Sequence, residues 1–110
     1  MIRETISKIE ERLRTSDTLS DQTRQELVGL LATLKNEVTE LSKTDAEQAN
    51  RIAGYAETSA AAAIQRDQDP EDLKSSLDSF STSVEGFETS HPGLVQIVNR
   101  IATTLSNLGI

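Results

Sequence analysis

The chain has 110 residues, no cysteine, no tryptophan and a formal net charge of −7, from 11 Lys and Arg against 18 Asp and Glu. The lack of cysteine excludes disulfide scaffolds, thiolate metal sites and cysteine nucleophiles. The acidic balance argues against nucleic acid, whose phosphates require a basic surface. The length fits one domain, residues 1–110. Leu, Ile, Val and Phe number 12, 8, 5 and 2, above the roughly 20% of disordered chains. The chain is therefore expected to fold. With 35% apolar residues, its core is expected to be thin and made by helices meeting along narrow stripes.

The first element, over 2–15, carries Ile2, Ile6, Ile9 and Leu13, spaced 4, 3, 4. Polar residues from Ser16 to Ser20 interrupt it, and Ser20 can cap a helix beginning at Asp21. The next stretch carries Leu27, Leu31, Leu34, Val38 and Leu41. Its seam continues through Asp45, Gln48, Ile52, Tyr55, Ser59 and Ala62, becoming polar and then small. Residues 21–66 hold no proline and only Gly29 and Gly54. One reading is a single helix over 20–66, about 46 residues and roughly 70 Å long. The other is a break near Ser42 to Thr44, where Thr44-Asp45-Ala46-Glu47 matches a capping box. The richness in good helix formers favours the unbroken helix.

A third element, over 70–88, carries Leu73, Leu77, Phe80, Val84 and Phe87, with Asp69 as cap and Pro70 in its first turn. Ser90-His91-Pro92 separates it from the last element, over 92–108, because a residue before proline avoids the helical region. There the ladder is Leu94, Val98, Ile101, Leu105 and Leu108; Gly109 can close the helix and Ile110 fold back on Leu105. All four ladders repeat every 3.5 residues, and none alternates like a strand. The expected fold is all-α: an elongated hairpin or bundle of three to four helices with coiled-coil seams.

Charge is uneven along the chain. Residues 67–90 hold most of the acidic excess, which places them toward solvent, whereas 91–110 hold Arg100 alone, which suggests a last helix buried by several neighbours. Glu4–Lys8, Glu10–Arg14 and Glu47–Arg51 have the favourable i,i+4 order. A helix of roughly 70 Å would outrun partners of about 20–25 Å. Part of its seam must then be covered by another chain or by the last two helices laid end to end, and a homodimer is the expectation.

Candidate chemistry is sparse. His91, the only histidine, follows Ser90 directly and lies near Glu85 and Glu88. Adjacent residues rarely orient as nucleophile and base, and no oxyanion site is evident; a helix cap by Ser90 or His91 explains them better. One histidine without cysteine does not suit zinc. The run Asp67, Asp69, Glu71 and Asp72 lacks the glycine turn and closing glutamate of a calcium loop. Gly86 and Gly93 belong to no phosphate-cradling pattern. No metal or cofactor is expected, and no catalysis. Residues Met1 to Arg14 are charged throughout, and no stretch reaches the about 20 apolar residues of a membrane span, so a cytoplasmic location is expected. The last element offers a membrane surface Gln96, Asn99, Thr103, Ser106 and Asn107 rather than Lys and Arg, which disfavours that partner.

The phrase Gly86-Phe87-Glu88-Thr89-Ser90-His91-Pro92-Gly93-Leu94 precedes Thr103-Thr104-Leu105-Ser106-Asn107-Leu108-Gly109-Ile110. This pairing resembles a bacterial family of short helical proteins, domain-of-unknown-function family 4404. The likeness is specific over about residues 84–110 and looser elsewhere, and the run Ala60–Ala63 is less polar than the family pattern implies. The resemblance implies an all-helical fold and no established activity. It directs attention to Phe87, His91, Pro92, Leu94, Leu105 and Ile110, which together with Ile101 at the centre of the last ladder are the candidate interaction or structural motif. The function expected is a non-enzymatic interaction or scaffold module, acting by self-association or on an unidentified protein partner. The alternative is a peripheral membrane or envelope-associated helical protein.

Overall fold

The computed structural model describes residues 2–65 and 67–108. Among these the chain forms α1 (Ile2–Thr15), α2 (Asp21–Ser42), α3 (Ala46–Ile64), α4 (Pro70–Thr82) and α5 (Pro92–Asn107), and no strand. There are five helices among the described residues where three to four were expected. The expected Gly109 cap and the return of Ile110 lie outside the described residues.

The extra helix comes from a break in the expected 20–66 rod. Toward the end of α2, side-chain hydroxyls share backbone carbonyls with the helix's own ladder. Thr39 Oγ1 donates to Lys35 O (2.6 Å), Ser42 Oγ to Thr39 O (2.6 Å) and Thr44 Oγ1 to Leu41 O (3.2 Å). Such local bonds compete with helix propagation. Asp45 N then donates to Leu41 O, and the Asp45 carboxylate caps α3 by accepting from Gln48 N at 3.1 Å. The cap is one residue later than the Thr44 box. Folding the two halves into a hairpin lets each bury its apolar face on the other, which a solvated rod of this length would leave open.

α4 likewise ends at Thr82 rather than near Glu88. Ser83 Oγ donates to Phe80 O, and Gly86 adopts φ +97°, a left-handed conformation that costs glycine little. Val84 and Phe87 keep their places on the ladder even so. They reach inward from turns, Val84 buried and Phe87 half-buried.

The ladders of α1, α2, α4 and α5 are buried as spaced, apart from their half-buried ends Ile2, Phe87 and Leu108. The expected seam on α3 is not buried as spaced, since Asp45 is exposed and Gln48, Tyr55 and Ala62 are half-buried. Ile6, Leu34, Val38, Phe80, Leu94 and Val98 are fully covered, and Ile9, Leu13, Leu27, Leu41, Ile101 and Leu105 nearly so, in one continuous core. α3 is the hub: it packs against α1, α2, α4 and α5. Its inner face is Ala49, Ile52, Ala53, Ala56, Ser59, Ala60 and Ala63. Small side chains let helix axes approach closely on several sides, so Ala60 and Ala63 of the alanine run belong to the core, while Ala61 and Ala62 are half-buried. Ser59, wholly buried, donates to Ser76 O of α4 at 3.1 Å, as a buried hydroxyl must. α5 packs on α2, α4 and, less extensively, α3. The helix surrounded on most sides is therefore α3 rather than the charge-poor α5, whose outer face (Gln96, Asn99, Arg100, Thr103, Ser106, Asn107) is not buried.

The molecule measures 37 × 24 × 20 Å. No helix among the described residues approaches 70 Å, and the length mismatch from which a second chain was inferred is not found there.

Candidate interaction surface

Pro92 starts α5 with its fixed backbone angle, and His91 occupies the cap position. His91 O accepts from Leu94 N and Val95 N, but no side chain caps this helix; Ser90 Oγ and His91 Nδ1 are instead hydrogen-bonded to each other at 3.1 Å. The expected cap by either side chain is thus not made. His91 N donates to Phe87 O at 2.8 Å, and the two rings meet edge to face, centroids 5.7 Å apart. Glu88 folds back to accept from Gly86 N. Glu37 of α2 supplies the negative charge at this helix start: its carboxylate lies within about 3 Å of where a Cβ on Gly93 would sit, favourable near the positive end of the dipole.

The residues singled out from sequence divide accordingly. Phe87, His91 and Pro92 belong to the turn that leads into α5. Leu94, Ile101 and Leu105 are core, each at most 1% exposed. Ile110 lies outside the described residues. The turn and the core residues form a structural unit rather than a shared cleft. Among the described residues no group of three His, Asp or Glu side chains is placed to hold a metal ion.

A surface that the motif did not indicate lies between α4 and α5. The two helices, α4 with Pro70, Lys74, Asp78 and Ser81 and α5 with Asn99, Thr103, Ser106 and Asn107, are packed together and line an open groove of about 670 Å³. Its floor is Leu73, Leu77 and Ala102. On the α4 rim stand Lys74 and Asp78, both exposed; on the α5 rim stand Asn99, Thr103 and Ser106. Neither Lys74 nor Asp78 has an ion-pair partner among the described residues. The sequence signal for this groove was the short, almost uncharged outer face of α5, which suggested burial by neighbours but marks one wall of an open channel.

Arg24 also escaped the sequence reading. Its guanidinium, mostly covered, donates to Leu13 O (3.0 Å), Ser16 O (2.6 Å) and Leu19 O (3.2 Å) and pairs with Asp21 at 2.7 Å. It gathers the carbonyls at the end of α1 and along its loop, satisfying acceptors a helix end leaves open.

The architecture defines an all-α bundle with one small-residue hub helix and an open groove on its α4–α5 face. The chain belongs to the family described as a domain of unknown function, DUF4404, whose match covers residues 28–110, from within α2 to the last residue. Comparison with curated proteins and with solved structures gives no match. Among the described residues no helix is long and apolar enough to cross a membrane.

Proposed function

We propose that this chain is a non-enzymatic helical interaction module of the cytoplasm that works by self-association. The observation that supports this reading is the α4–α5 groove, where Leu73, Leu77 and Ala102 form an apolar floor between short polar rims. A helix laid along such a floor buries an apolar stripe and gains register from the rims. The recognition surface is then the seam between α4 and α5, floored by Leu73 and Leu77 of the α4 ladder and by Ala102, rather than the ladders of the other helices, which their own chain covers.

Sedimentation equilibrium from low to high micromolar concentration tests the reading. The expected result is a mass rising with concentration from 12.0 kDa toward twice that value; a constant 12.0 kDa overturns it. The peripheral-membrane alternative would need the apolar stripe of α5 at the surface. Leu94, Val98, Ile101 and Leu105 are buried, and Arg100 is the one charge α5 carries. No co-flotation with anionic liposomes is expected; robust co-flotation would replace the proposal.

A further inference from the structure

We infer that the groove's occupant is the α4 helix of a second copy of this chain, docked antiparallel about a twofold axis between Lys74 and Asp78. This rests on the self-association proposed above and assigns its surface and register.

Lys74 and Asp78 lie one helical turn apart on the same rim, so they project side by side. A plus-then-minus order along a helix reads minus-then-plus along its antiparallel copy. A twofold axis therefore sets Lys74 of each copy opposite Asp78 of the other, the reciprocal pattern that a closed dimer requires. Both side chains are exposed and lack ion-pair partners among the described residues, so both are available. The opposite rim adds no charge that would oppose the pairing: Asn99, Thr103 and Ser106 are neutral.

The wider charge pattern makes this pair decisive. Two chains of net charge −7 repel. Lys74 is the sole cation between residues 67 and 90, among seven acids. It stands on the groove rim one turn from Asp78, while Asp69, Glu71 and Asp72 cluster at the start of α4. Lys74 and Asp78 are the charged side chains that line the groove, so within it the antiparallel register that sets opposite charges together is Lys74 against Asp78.

The experiment uses the full chain and two charge reversals, Lys74→Asp and Asp78→Lys, followed by sedimentation equilibrium. Circular dichroism melts check that both variants keep the fold, as exposed positions should. Each variant alone is expected to dimerise roughly tenfold or more weakly, because like charges then face across the axis. Asp78→Lys is the sharper arm: it lowers the net negative charge, so non-specific electrostatics would strengthen association. An equimolar mixture of the two variants is expected to recover the wild-type association. In the mixed dimer one chain carries carboxylates at both positions 74 and 78 and the other carries lysines at both, so opposite charges face each other at every contact. Unchanged or stronger association of Asp78→Lys, or failure of the mixture to recover it, overturns the assigned register while leaving self-association standing. A wild-type chain that stays at 12.0 kDa throughout overturns both.

Discussion

At the scale of single residues, Arg24 shows how one side chain can hold a connection that apolar spacing does not specify. Its three carbonyl acceptors belong to α1 and its loop, and its carboxylate partner to its own helix. Charged hydrogen bonds of this kind contribute about 1.5–3 kcal/mol each, with strong non-additivity. Arg24→Ala is expected to lower stability by about 2–3 kcal/mol in urea unfolding. Arg24→Lys should recover little of that loss, because an ammonium lacks the planar fork that reaches several carbonyls at once. Nothing in the local sequence identified this role beyond an arginine three residues after Asp21. Its targets come close only when the chain turns. Glu37 is a second case, its carboxylate meeting the start of α5 across a long sequence separation. Local pairs were more legible: Glu10–Arg14 and Glu47–Arg51 lie at 3.9 and 3.6 Å, whereas Glu4 and Lys8 form no ion pair among the described residues. Even there, the carboxylate of Glu10 has a nearer partner in Lys35 of α2, at 3.1 Å.

At the scale of elements, the decisive event is the break between α2 and α3. Asp45→Ala tests it by sign. With Asp45 as the cap of α3, the substitution should destabilise the protein by about 1 kcal/mol. In an unbroken rod the same change would replace a poor helix former with the best one and stabilise it. Urea midpoints of the two proteins, at equal slope, decide the matter. α5 supplies the complementary test. Ile101 is 1% exposed at the centre of its ladder, so Ile101→Ala should cost about 2–5 kcal/mol; an unchanged thermal midpoint would contradict its place in the core. The caps by Ser20 and Asp69 were readable because they act within three residues: Thr23 N donates to Ser20 Oγ at 3.2 Å, and Glu71 N to Asp69 Oδ1 at 3.0 Å. The cap choice at 44 or 45 was not, because helix propensity and capping chemistry oppose each other there and tertiary burial settles the balance.

At the scale of the whole molecule, the five helices share one continuous core, and α3 links the α1–α2 side to the α4–α5 side. Such a unit should unfold in a single step. Tyr55, the only tyrosine, is half-buried on α3, and its fluorescence should follow the same thermal curve as far-ultraviolet circular dichroism. Two separated midpoints would mean that one side of the bundle unfolds independently. Interhelix hydrogen bonds reinforce the hub. Gln48 Nε2 donates to Ser83 O, and Thr18 Oγ1 reaches Ile64 O, tying the α1–α2 loop to the far end of α3. α1 and the first turns of α2 lie outside the family match, yet they supply Ile6, Ile9 and Leu13 to the same core.

The primary structure alone determined that the chain is helical, which large side chains of α1, α2, α4 and α5 turn inward and where the starts capped by Ser20 and Asp69 lie, but not the inner face of α3. Each of these rests on a periodicity or a hydrogen bond spanning a turn or two of backbone. Tertiary structure decided whether residues 21–66 run straight or fold back, which helix becomes the hub, and which apolar seam is left partly open to solvent. Those outcomes depend on which surfaces meet. An apolar stripe is equally satisfied by a neighbour in its own chain or in another, and only the closing of the α2–α3 hairpin brings that neighbour from within.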